Sequence, residues 1–295
     1  MSRSLRRLGL LAAALLVVAA PAAQAAPHDA DVFDIQSGPE LGHIHAKHAG
    51  AGQGASAPLL VYHGGTVMTS SAVTAIFWGT KFSSASYTGD LMTGLDKLYG
   101  GIGASAYVHS DTEYSGSNGP VGAASTYSGH KVDTLSSLRR APSRTSQILT
   151  EVAKVITNPV PNGYYPVYTD LKRGNAGYCA WHSWGSINGV PVQFGFFFDL
   201  AGDPGCDPQD PSTTHSQALE ALANVSGHEL SEALTDPRGD AWYDGGGEEN
   251  ADKCAWTFGS SLLSIGGTSW KIQGNFSNAA FAAHSGYDGA GCIDH

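Results

Sequence analysis

A chain of 295 residues with a formal net charge of −10 and only 16 Lys and Arg has no electrostatic footprint for nucleic acid or an anionic lipid surface. Its 38 glycines and a charged fraction of 14% argue against a helical bundle and suit a loop-rich α+β domain. Acidity of this kind reads as solubility outside the cell.

Met1-Ser2-Arg3-Ser4-Leu5-Arg6-Arg7 is a positive start, Leu8 to Ala20 a short apolar run, and Ala23-Gln24-Ala25 a small-residue end. That order is a secretory signal peptide over residues 1–25, and the run is too short to span about 30 Å of hydrocarbon. Losing Arg3, Arg6 and Arg7 takes the net charge from −10 to −13. The expected product is secreted, monomeric, and free of membrane and nucleic-acid partners. Residues 26–58 carry Gly, Ala and the histidines His28, His43, His45 and His48 without an apolar period. They read as a flexible leader or propeptide.

The folded domain, 59–295, is expected to be single. Leu59 to Tyr62 reads as a short strand, His63-Gly64-Gly65 as a turn, and Val73 to Trp78 as a second strand. Leu91, Leu95 and Leu98 give helical spacing over 90–99, and Gly, Ser and Tyr between 100 and 131 suit short strands and loops. A clearer helix runs from about Ser143 to Thr157, ended by Pro159 and Pro161. Tyr164 to Tyr168 and Val190 to Leu200 read as strands, the second buried, with Phe194, Phe196 and Phe198 on one face. A helix follows from about Ser216 to Leu234, capped by Thr213-Thr214 and stopped by Asp236-Pro237. Ser269 to Ile272 is a late strand.

Four cysteines in an exported chain favour two disulfides, and four allow three pairings. Sequence order suggests Cys179–Cys206 and Cys254–Cys292.

Chemistry concentrates in Gly227-His228-Glu229-Leu230-Ser231-Glu232. His228 and Glu232, four apart on a helix, project from one face and can grip one ion. Glu229 points toward the same cavity as a general base. The pattern is the H-E-x-x-H zinc helix with Glu in the last place, and carboxylate is an accepted zinc ligand. A third ligand is expected about 17 residues further on, at Glu249, with Asp252 orienting His228 through its other ring nitrogen. His182 and His63 are candidate donors to a developing oxyanion, and His182 is an alternative ligand. The competing reading is a surface acidic loop holding calcium through Asp244, Glu248 and Glu249.

Ser226 to Pro237, Ala241-Trp242-Tyr243-Asp244, Glu249 to Cys254, Tyr62 to Met68 and Tyr178-Cys179-Ala180-Trp181-His182 together resemble the phosphate-induced, or exordium-like, protein family, over about residues 59 to 292. The resemblance implies a secreted protein; plant members are cell-wall growth regulators. The residues themselves imply a zinc metallopeptidase acting on an extracellular peptide or cell-wall substrate, with a zincin-like metal-site helix in a twisted mixed sheet packed by a few helices. The alternative is a non-catalytic cell-wall or carbohydrate-binding module with structural calcium.

Overall fold

A computed structural model describes residues 33–47, 59–103, 105–212 and 214–294. The signal peptide expected at 1–25 lies outside the described residues. Seven strands form the main sheet: β1 (Ile35–Ser37), β2 (Leu41–His45), β3 (Ser71–Trp78), β4 (Ser125–Asp133), β5 (Gly163–Lys172), β6 (Tyr178–Ile187) and β7 (Val190–Asp199). From one edge the order is β4, β3, β5, β7, β6, with β1 and β2 both paired to the far side of β6. The first four run parallel, while β6 is antiparallel to β7 and to both N-terminal strands. This is a single mixed α/β domain with a twisted mixed sheet and few helices.

Parallel strands covered on both faces read as near-continuous apolar runs rather than as alternation. In β7 every residue from Val192 to Asp199 is buried, not only the three phenylalanines expected to share a face. The covering helices are α1 (Leu91–Ile102), α2 (Thr145–Val155) and α3 (Gln217–Thr235). α2 lies on one face, where Leu149 leaves no room for a side chain at Gly185. α1 and α3 lie on the other, joined to the sheet through Tyr99 Oη to Tyr168 Oη at 2.8 Å and Tyr168 Oη to Ser226 Oγ at 2.6 Å.

Three features differ from the sequence expectations. Residues 33–47, inside the stretch read as leader, form β1 and β2. The strand β6 was not anticipated. It turns into β7 through Asn188-Gly189, whose φ values of 51° and 78° match the left-handed pair of a tight hairpin. Helix α3 is capped by Ser216, whose hydroxyl accepts from the Leu219 amide at 3.2 Å, rather than by Thr213-Thr214.

Cys179 pairs with Cys206 and Cys254 with Cys292, as chain order suggested. The second bridge holds the segment after Glu249 to the C-terminal strand pair. Among the described residues no helix is long and apolar enough to cross a membrane. Two disulfides are consistent with an extracellular protein.

Candidate metal centre

Helix α3 is buried from Leu219 to Thr235, so its polar side chains must find partners inside the protein. Three of them do. Ser226 is bonded to Tyr168, Ser231 accepts from Asn275 Nδ2 at 2.9 Å, and Thr235 donates to the Ser231 carbonyl at 3.1 Å. His228, Glu229 and Glu232 behave otherwise: all are 0% exposed, yet among the described residues His228 Nε2, both Glu229 oxygens and Glu232 Oε2 lack a hydrogen-bond partner, as do both oxygens of Glu220 near the start of the helix.

Two further elements bring groups of the same kind. His182, on the central part of β6, points at α3; it is 0% exposed and neither ring nitrogen has a hydrogen-bond partner among the described residues. The loop after Trp242–Tyr243 brings Glu249, 4% exposed, with Oε2 also unpartnered. His182 Nε2 lies 3.3 Å from Glu249 Oε2 and 3.9 Å from Glu232 Oε2. On the other side, His228 Nε2 lies 2.9 Å from Glu232 Oε1 and 3.4 Å from Asp252 Oδ1. Ligand atoms of His182, Glu229 and Glu232 fall within 4.8 Å of one another, as do those of His228, Glu232 and Asp252. Several unpartnered buried polar atoms in one place cost about 1–3 kcal/mol each, more where charged. A cation removes that cost, and imidazole with carboxylates is a donor set that divalent metals accept.

The backbone makes room for it. Gly42 in β2 has φ +41°, and a Cβ there would sit 1.9 Å from Glu232 Oε2 and 2.8 Å from His182 Nε2. Any larger residue would fill the space between those two atoms.

Electrostatics follow from burial. Without a cation, burial raises the Glu229 and Glu249 carboxyls well above the ordinary range; His228 opposes the rise at Glu229, and Glu232 adds to it at Glu249. Glu232 is pushed up to about 7 by burial and then by Asp252. Burial lowers His182 to about 3, leaving its ring neutral. Burial also opposes charge on His228, but Glu232 and Asp252 outweigh it and hold its pKa above the usual value.

The structure thus joins His228, Glu229 and Glu232, as their spacing implied, and brings His182, Glu249 and Asp252 to them. Glu249 arrives on the His182 side. Asp252 approaches His228 at Nε2, the nitrogen that faces Glu232. The other nitrogen, Nδ1, instead meets Gln273 Nε2 at 3.0 Å, a residue sequence reasoning did not single out. His63 is exposed, stacked on Tyr243 at 3.6 Å between ring centroids, with Nε2 3.2 Å from the Tyr243 carbonyl. The acidic-loop alternative is dispersed: Asp244 is paired with Lys253 at 2.8 Å, Glu248 is exposed and Glu249 turns inward.

No family model, curated protein or solved structure matches this chain.

Proposed function

We propose that this chain is a secreted metal-dependent hydrolase, with zinc as its cofactor and the peptide bond as its substrate class. The observation that carries the reading is the convergence of unpartnered, buried imidazole and carboxylate atoms on an H-E-x-x-E helix. Zinc held there would supply Lewis acidity and lower the pKa of a bound water. Glu229, beside the ligands, would take the proton of the attacking water and pass it to the leaving nitrogen. Glu232 and Glu249, with an imidazole of the cluster, would hold the ion.

A second reading has one observation in its favour. His182, His228, Glu229 and Glu232 are 0% exposed, which suits a structural ion in a non-catalytic cell-wall or carbohydrate-binding module. On the hydrolase reading the same burial has a cause in the N-terminal segment, the part expected to be a propeptide. β2 pairs along β6 and sets Gly42 against Glu232 and His182, so this strand packs against the centre.

One experiment separates the two. The full chain is given a specific protease site between residues 48 and 58, and a peptide library is offered before and after cleavage there, with and without chelator. The hydrolase reading expects cleavage products to rise after processing and to vanish with chelator. A processed, metal-loaded protein that cuts no peptide would favour the structural ion.

A further inference from the structure

Two histidines face the centre, and the hydrogen bonds around them are not equivalent. Gln273 lies at 0% exposure against His228, and its amide orientation is fixed from both ends. Its Oε1 accepts from the Trp256 amide at 3.2 Å, and its Nε2 donates to the Ala251 carbonyl at 2.8 Å. Flipping the amide would set oxygen against oxygen at Ala251 and N–H against N–H at Trp256. The second hydrogen on Nε2 therefore points at His228 Nδ1, 3.0 Å away. An Nδ1 that accepts cannot carry a proton. The proton of a neutral His228 then sits on Nε2, between Glu232 Oε1 at 2.9 Å and Asp252 Oδ1 at 3.4 Å. A nitrogen bearing a proton has no lone pair for a metal.

His182 is the reverse case. Both of its ring nitrogens are buried and unpartnered, and Nε2 faces Glu249 Oε2 and Glu232 Oε2, themselves unpartnered. The space left by Gly42 lies between His182 Nε2 and Glu232 Oε2.

We infer that the metal-binding histidine is His182 on β6, acting with Glu232 Oε2 and Glu249, and that His228 is a positioning residue whose Nε2 faces Glu232 Oε1. The inference rests on the metal-centre reading above and changes which part of the chain supplies the imidazole. The ligand class is a divalent ion that accepts one nitrogen among carboxylate oxygens, such as zinc, manganese or iron, in preference to the all-oxygen shell of calcium. Asp252 gains a role as well. Its amide donates to Glu232 Oε1 at 3.0 Å, which holds that carboxylate oxygen away from the ion, while its carboxylate faces His228 Nε2.

The test uses the full chain and Co²⁺ as a spectroscopic stand-in for zinc. Wild type is expected to bind one equivalent with visible ligand-field bands. His182→Asn should bind none. His228→Asn and Gln273→Ala should keep the bands and weaken binding by about 10–100-fold, the usual effect of removing a group that orients a ligand. Because buried substitutions can unfold a protein, wild type labelled with ¹⁵N-histidine gives a second reading. Adding Zn²⁺ should shift the His182 ring nitrogens strongly and leave His228 as the Nε2–H tautomer. Loss of the bands in His228→Asn with retention in His182→Asn overturns the inference and leaves the hydrolase reading standing. An ion bound through His182 in a protein that cuts no peptide does the opposite.

Discussion

Glu229→Gln is expected to leave the ion bound and to lower peptide hydrolysis by about 10²–10⁴-fold, the usual worth of general acid–base help. The substitution keeps the shape of a side chain that is fully buried, so it opens no cavity. It removes the group able to accept a proton, because an amide cannot act as the base. Metal content and thermal unfolding should match wild type, which separates this variant from one that fails to fold. His182→Asn is the contrasting case, in which the ion and the activity should disappear together. A Glu229→Gln protein that cut a wild-type substrate at full rate would exclude Glu229 as the base.

Removing the ion should destabilise the protein strongly, and the size of the loss should depend on pH. A ligand present at about 1,000 times its dissociation constant stabilises the folded state by about 4 kcal/mol. For a domain of this size that corresponds to a fall in melting temperature of roughly 10 °C on chelation. The pH dependence follows from the shifted groups. Glu232, raised to about 7, and Glu229 and Glu249, also raised well above the ordinary carboxylate range, hold more protons folded than unfolded in the metal-free protein. Each therefore subtracts stability as pH rises above the ordinary carboxylate range and through its raised value. His228, also raised, acts in the same direction above about pH 6.5. His182, lowered to about 3, acts oppositely, but only below the ordinary histidine value, where the unfolded ring takes up its proton. Between pH 6.5 and 8 the metal-free protein should lose stability, while the loaded protein should hold it because the cation replaces the protons. Scanning calorimetry with and without chelator at both pH values checks this. A chelator-induced drop that is the same at both, or absent, would contradict the assignment of these carboxylates to the ion.

Local pattern carried the parts of this structure that depend on local spacing. The helix bearing His228 and Glu232 was legible because a four-residue step fixes which side chains share a face, and Pro237 marks where it must stop. The buried character of β7 was legible in its apolar run. What was not legible depends on pairing over distance. β6 has strand-forming residues in Tyr178, Trp181, Trp184 and Ile187, but they recur every three positions among Cys, Ala, His, Ser and Gly, so the two-residue alternation that marks a strand is missing. The signal that could have found it is the Asn188-Gly189 pair, a strong short-range mark of a hairpin leading into the apolar β7. β1 and β2 gain their partner only when β6 exists, so a Gly- and His-rich stretch looked like leader. The same limit applies at the centre. Chain order places Glu249 and Asp252 near the helix but does not decide which histidine each meets. Gln273 reaches His228 only through the fold.

The central claim is that a cation sits among these side chains. Anomalous diffraction at the zinc absorption edge, on crystals of the zinc-loaded full chain, tests it without reference to activity. A peak is expected between α3 and β6, roughly 2.0–2.2 Å from Glu232 Oε2, Glu249 Oε2 and His182 Nε2. Zinc-loaded crystals with no peak there, or with one only at the exposed loop of Asp244 and Glu248, would contradict it.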